Sequence, residues 1–204
     1  MRVLFPLVAA LVSAPAGFAQ YTMDAAGAPP AAAAAVDPGG LSISAAGKPW
    51  CELWFAAALP AGPKSTEESI SLPTIPHGAF LGIARFPAQA QDRRGNPIKP
   101  GVYAMRYSLH PTDGNHMGVA PQRDFVVLIP VDKDKPPAEM LSYEALMALS
   151  RDATGLPHPA ILSLAPSTEQ KLPALKKEAD HDWTLHVKIG GTPVALIVAG
   201  KAES

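Results

Sequence analysis

Trp183-Thr184-Leu185-His186-Val187-Lys188-Ile189-Gly190-Gly191-Thr192-Pro193-Val194-Ala195-Leu196-Ile197-Val198 reads as two strands and the turn that joins them. A glycine pair between two alternating runs is a two-residue hairpin turn, because both central positions of such turns favour positive φ. That turn sets Ile189 opposite Thr192, Val187 opposite Val194, Leu185 opposite Leu196 and Trp183 opposite Val198. The innermost apolar pairs then share a face, so turn chemistry and side-chain alternation specify the same register. The pattern predicts Trp183, Leu185 and Val187 in a core and Thr184, His186 and Lys188 outside it. Pro193 has no N–H to give to a further strand, which predicts that 194–198 lies at a sheet edge.

Working outward, short apolar or alternating runs at 41–44, 50–57, 78–86, 102–109, 124–130 and 160–164 add further strands. The five consecutive apolar residues Phe125 to Ile129 predict a central strand covered on both faces. In 102–109, Tyr103, Met105, Tyr107 and Leu109 alternate with Ala104, Arg106 and Ser108, and Arg106 could pair with Asp124 across neighbouring strands. One main helix is expected over 142–151: Ser142 is an N-cap, Tyr143, Leu146, Met147 and Leu149 follow at helical spacing, and Gly155 and Pro157 stop it. A short second helix is expected over 172–179. The 23 prolines favour short elements and many turns. About eight short strands with one main helix predict an all-β, sandwich-like domain of antiparallel sheets. A small α+β layer fold is the alternative, since the helix must cover something.

The first residues are expected to be an export signal. Arg2 is followed by an apolar run over 3–12 and then by the small-x-small sequence Gly17-Phe18-Ala19, so residues 1–19 form a signal peptide cleaved after Ala19. The apolar run is about half of the ~20 residues a membrane span requires, and no later segment is long and apolar enough. Residues 20–40, rich in alanine, proline and glycine, are expected to be a mobile tether, and 41–204 the folded domain. Cleavage leaves 185 of 204 residues and a formal charge of −2, which gives no electrostatic reason to expect a nucleic-acid partner. The single cysteine, Cys51, cannot form an internal disulfide and is expected as a buried thiol.

The run Ile98-Lys99-Pro100-Gly101-Val102-Tyr103-Ala104-Met105-Arg106-Tyr107, followed by Pro111-Thr112-Asp113-Gly114-Asn115-His116-Met117-Gly118 and Arg123-Asp124-Phe125, resembles a group of exported bacterial proteins of unknown function. The resemblance spans roughly 41–164. It implies export and a β-sandwich, and it brings no catalytic residue and no ligand.

Two places could carry chemistry. The connection 110–121 is longer than a usual hairpin loop and holds His110, Asp113, His116 and Met117, types that suit copper or zinc. A two-residue turn at Asp113-Gly114 would set His110 opposite Met117 and turn His116 to the other face, so a joint His110–His116 site requires a bulge. A solvated loop is the alternative. Trp50 and Trp54 project from one strand face; if that face is open, it is a stacking platform for a ligand, and otherwise a second sheet covers it. Nucleophile elbows, zinc-protease motifs, phosphate loops and paired cysteines are all missing from the sequence. The expectation is therefore a periplasmic or secreted, non-catalytic β-domain that binds an unidentified ligand or envelope partner. The alternative is a transition-metal-binding protein or metal-dependent enzyme centred on loop 110–121.

Overall fold

The computed structural model describes residues 20–30, 35–112 and 122–202; the expected signal peptide lies outside them. In chain order the strands are β1 (Tyr21–Ala25), β2 (Leu41–Ala45), β3 (Lys48–Phe55), β4 (Phe80–Phe86), β5 (Ala90–Gln91), β6 (Pro97–Ile98), β7 (Gly101–Leu109) and β8 (Asp124–Pro130). Helix α1 (Tyr143–Thr154) follows, then β9 (Ile161–Pro166), β10 (Ala174–Glu178), β11 (Asp182–Ile189) and β12 (Thr192–Ala199). The protein is mostly β. One antiparallel sheet, ordered β1-β2-β3-β4-β7-β8-β9-β12-β11-β10, curls into a nearly closed barrel, roughly consistent with the expected all-β, sandwich-like fold. β5 and β6 form a separate small hairpin.

The C-terminal hairpin has the expected inner register: Ile189 faces Thr192, Val187 faces Val194 and Leu185 faces Leu196. Gly190 and Gly191 take φ of 52° and 87°, as the turn requires. A Cβ on Gly190 would also run into the backbone of Leu59. The outer register differs. A bulge between Trp183 and Thr184 moves Trp183 opposite Ala199 and re-aims both side chains, so Trp183 is half-buried and Thr184 is buried. β12 is also not an edge strand, because β9 pairs with it from Val194 to Leu196. Pro193 lies just past that ladder, where its carbonyl accepts from the Ser167 N–H and no donor is needed.

The segment expected as a tether is ordered in part. β1 pairs along all of β2, the Ala26 N–H donates to the Gly40 carbonyl, and Val36 is buried and bridges Ala56. β1 and β10 approach each other across the barrel seam, where Tyr21 lies between Trp50 and Trp183 at ring distances of 5.6 and 5.4 Å. Residues 174–178, expected as helix, form strand β10, which offers Lys176, Lys177 and Glu178 to solvent.

β8 is covered on both faces, as its sequence predicts. Val126 and Leu128 join the barrel interior, while Phe125, Val127 and Ile129 pack outward against Leu146 and Met147 of α1. The helix starts at Ser142, whose hydroxyl accepts the Ala145 N–H, and ends at Gly155 with φ 73°. Ser150 fastens it to the sheet by donating to the Leu128 carbonyl at 2.7 Å and accepting from the Ala160 N–H at 3.0 Å.

Arg106 and Asp124 do not pair. Arg106 lies opposite Val127 and Asp124 opposite Leu109, so they point to opposite faces. Asp124 accepts from Tyr107 at 2.7 Å and from the N–H groups of Ser71 and Leu72, holding the connection 56–79 against the barrel. Arg106 is fully buried on the outer face. It donates to the Asp134 carboxylate and to the carbonyls of Gly78, Lys135, Pro136 and Glu139, and thereby clamps the segment that leads to α1.

Candidate functional site

The outer face of β7 carries a polar row, Arg106, Ser108 and then His110 just beyond the strand, all buried beneath α1 and its flanking segments. His77 reaches Ser108 at 3.0 Å through Nε2, and the backbone of Leu141 bonds its other side. Burial holds the His77 imidazole below its usual pKa. Ser108 is itself fully buried, so this serine–histidine pair is a structural link with no room for a substrate.

His110 opens the row outward. Its ring stacks on Phe125 with centroids 4.3 Å apart, and both line a cleft of about 500 Å³ beside α1. Phe125, Ile161 and Met147 form an apolar floor. Tyr143, Glu144 and Arg151 come from α1, Pro157 to Pro159 from the helix exit, and Arg94 from the turn between β5 and β6. Asp92 shapes that turn by accepting from the N–H groups of Arg94 and Asn96. Arg151 is held by its Nε–H, which donates to the Pro157 carbonyl at 3.1 Å. Glu144 is turned back on the helix start, where its own N–H and Ser142 hold its carboxyl below the usual range. Two arginines and two imidazoles thus surround an apolar floor, with one carboxylate already engaged by the helix N-terminus.

Of the residues expected to hold copper or zinc, His110 is brought to this cleft. Asp113, His116 and Met117 lie outside the described residues. Among the described residues no group of three histidine, cysteine, aspartate or glutamate side chains is arranged to hold a metal ion.

The tryptophan platform is not open. Trp54 is fully buried, with its indole N–H donating to the Gly27 carbonyl at 2.9 Å. Gly40 presses so closely on the indole that a Cβ there would overlap it. Trp50 is half-buried, and its N–H donates to the Val198 carbonyl at 2.9 Å. Gly27 and Gly40 cover Trp54 and Tyr21 packs on Trp50, in place of a second sheet; a buried indole needs an acceptor, and Gly27 brings one. Cys51 is buried, and burial, with Glu52 nearby, pushes its thiol pKa up.

His186, expected to face solvent, is buried by the connection 167–173 and β10. Ser167 bonds its Nδ1 at 2.9 Å and Glu178 its Nε2 at 3.0 Å. This chain resembles a nucleophile triad in composition only. The Glu169 N–H already donates to Ser167, and neither Ser167 nor His186 lines the adjoining cleft. That cleft, about 550 Å³, lies at the barrel mouth between Leu41, Phe55 and Val187, and its charges, Asp37 and Glu169 against Lys171 and Lys188, balance.

Sequence reading missed Arg94, Arg151 and His158, because no local motif links them; they meet only when α1 lies on β8. Among the described residues, no helix is long and apolar enough to cross a membrane. No protein-family model matches the chain, and neither a curated protein nor a solved structure matches it.

Proposed function

We propose that this chain is a non-catalytic β-domain of the cell envelope, periplasmic or secreted, that binds a small ligand in the cleft beside α1. The observation that carries this reading is the cleft itself: an apolar floor of Phe125, Met147 and Ile161 under a rim of orientable polar groups. Its volume falls within the ~300–1,000 Å³ usual for small-molecule sites. The site is built on a helix and two strands, so it is already formed before a ligand arrives. Among the described residues, no nucleophile, base and orienting group converge on it, which favours binding over catalysis.

Ala148, on the exposed side of α1, faces the cleft without entering the core. Native mass spectrometry of the protein isolated from an envelope fraction tests the reading. The wild type is expected to carry a small-molecule mass that Ala148→Trp, which fills the cleft, does not retain. A retained mass that Ala148→Trp leaves unchanged places the ligand elsewhere.

The second reading, a copper or zinc protein centred on 110–121, draws support from His110 at the root of that loop and at the cleft wall. It predicts stoichiometric metal uptake that His110→Ala reduces, measured by titration calorimetry. Uptake indifferent to His110→Ala removes it.

A further inference from the structure

We infer that the cleft beside α1 selects small anions that carry an apolar or aromatic body, such as an aryl or alkyl carboxylate; this rests on the reading of that cleft as the ligand site. The argument begins with charge. The whole chain is close to neutral, yet among the described residues the rim gathers Arg94 and Arg151 with His110 and His158, against Glu144, with Asp92 behind Arg94. Glu144 is drawn to the first turn of α1, bonded to its own N–H and to Ser142, and so is partly compensated. Among the described residues, the two arginines give the opening its excess positive charge.

Geometry adds direction. Arg151 is anchored through Nε to Pro157, which leaves its terminal nitrogens as a planar pair of donors. Such a fork matches the two oxygens of a carboxylate. The floor below is Phe125, with the His110 ring stacked beside it, and Met147, which adapts to flat or irregular shapes. A charged head at the rim and an apolar body on the floor is therefore the ligand that leaves no group unpaired. A free inorganic anion would waste the floor, and a neutral apolar molecule would leave the guanidinium fork unused. The barrel-mouth cleft offers no such asymmetry, because its two carboxylates face two lysines.

Three probes of one shape separate the possibilities: benzoate, benzyl alcohol and benzylamine, titrated by calorimetry into the full mature chain at low salt. Benzoate is expected to bind about tenfold more tightly than the other two, a difference of one charge-assisted contact. Arg151→Gln and Arg94→Gln should each remove most of that preference while leaving the weak binding of benzyl alcohol. Arg94 is exposed and holds no other segment through its side chain, so its variant keeps the test sound if Arg151→Gln loosens the helix exit. Arg151→Glu should shift the preference towards benzylamine. Equal binding of all three probes overturns the anion inference and leaves the cleft as a ligand site. Stronger binding of benzylamine by the wild type overturns it as well. Failure of every probe to bind removes both the inference and the reading beneath it.

Discussion

The hairpin β11–β12 and the N-terminal residues 20–30 and 35–40 meet the same tryptophan from two sides, yet they are ordered by different means. Trp50 gives its indole N–H to Val198 of the hairpin and presents its ring to the edge of Tyr21. The hairpin is specified locally: a glycine pair fixes the turn, and Leu185 and Val187 meet Leu196 and Val194 without adjustment. The N-terminal segment has no such local plan. It is held by contacts distant in sequence: Gly27 to Trp54, Val36 to Ala56, and the Asp37 N–H to the Phe55 carbonyl. Gly27, in an otherwise low-complexity stretch, supplies the acceptor that the buried Trp54 indole needs.

The two regions can be separated by mutation. Trp54→Ala should have the largest effect, about 3–5 kcal/mol in a denaturant melt, because it empties a fully buried site and releases the segment that covers it. A loss near zero would mean that the segment does not cover Trp54. In the hairpin, Gly190→Ala should cost about 2 kcal/mol or more, since positive φ and the Leu59 backbone both oppose a Cβ. Gly191→Ala has open space around it and should cost only about 1 kcal/mol. Equal costs at the two glycines would contradict the close approach to Leu59. Trp54→Phe should cost about 1 kcal/mol, mainly through the lost bond to Gly27. The mildest effect is kinetic. Cys51 should resist a thiol reagent in the native protein, and removal of residues 20–27 should speed its modification without unfolding the hairpin, as circular dichroism would show. Unchanged labelling would show that the N-terminal segment does not guard that part of β3.

The same contrast explains what the sequence disclosed. Hairpin register, the Ser142 and Gly155 helix ends and the double burial of β8 were legible because each is decided by residues within a few positions of one another. The Trp183 bulge was not, because alternation continues through it unmarked. The burial of Arg106 and His186 was also hidden: strand alternation assigns a side chain to a face but does not say whether a distant segment covers that face. Of the cleft beside α1, His110 was singled out for a different reason, its neighbours in a long loop. Arg94, Arg151 and His158 come from separate turns and a helix, and only packing brings them together.

That convergence is the centre of the functional account, and one measurement addresses it directly. A crystal of the protein soaked in 4-bromobenzoate reports the position of the bromine by anomalous scattering. The account predicts one peak over the floor of Phe125, Met147 and Ile161, with the carboxylate turned towards Arg151 and Arg94. A peak at the barrel mouth between Leu41, Phe55 and Val187, or none at all, would contradict it.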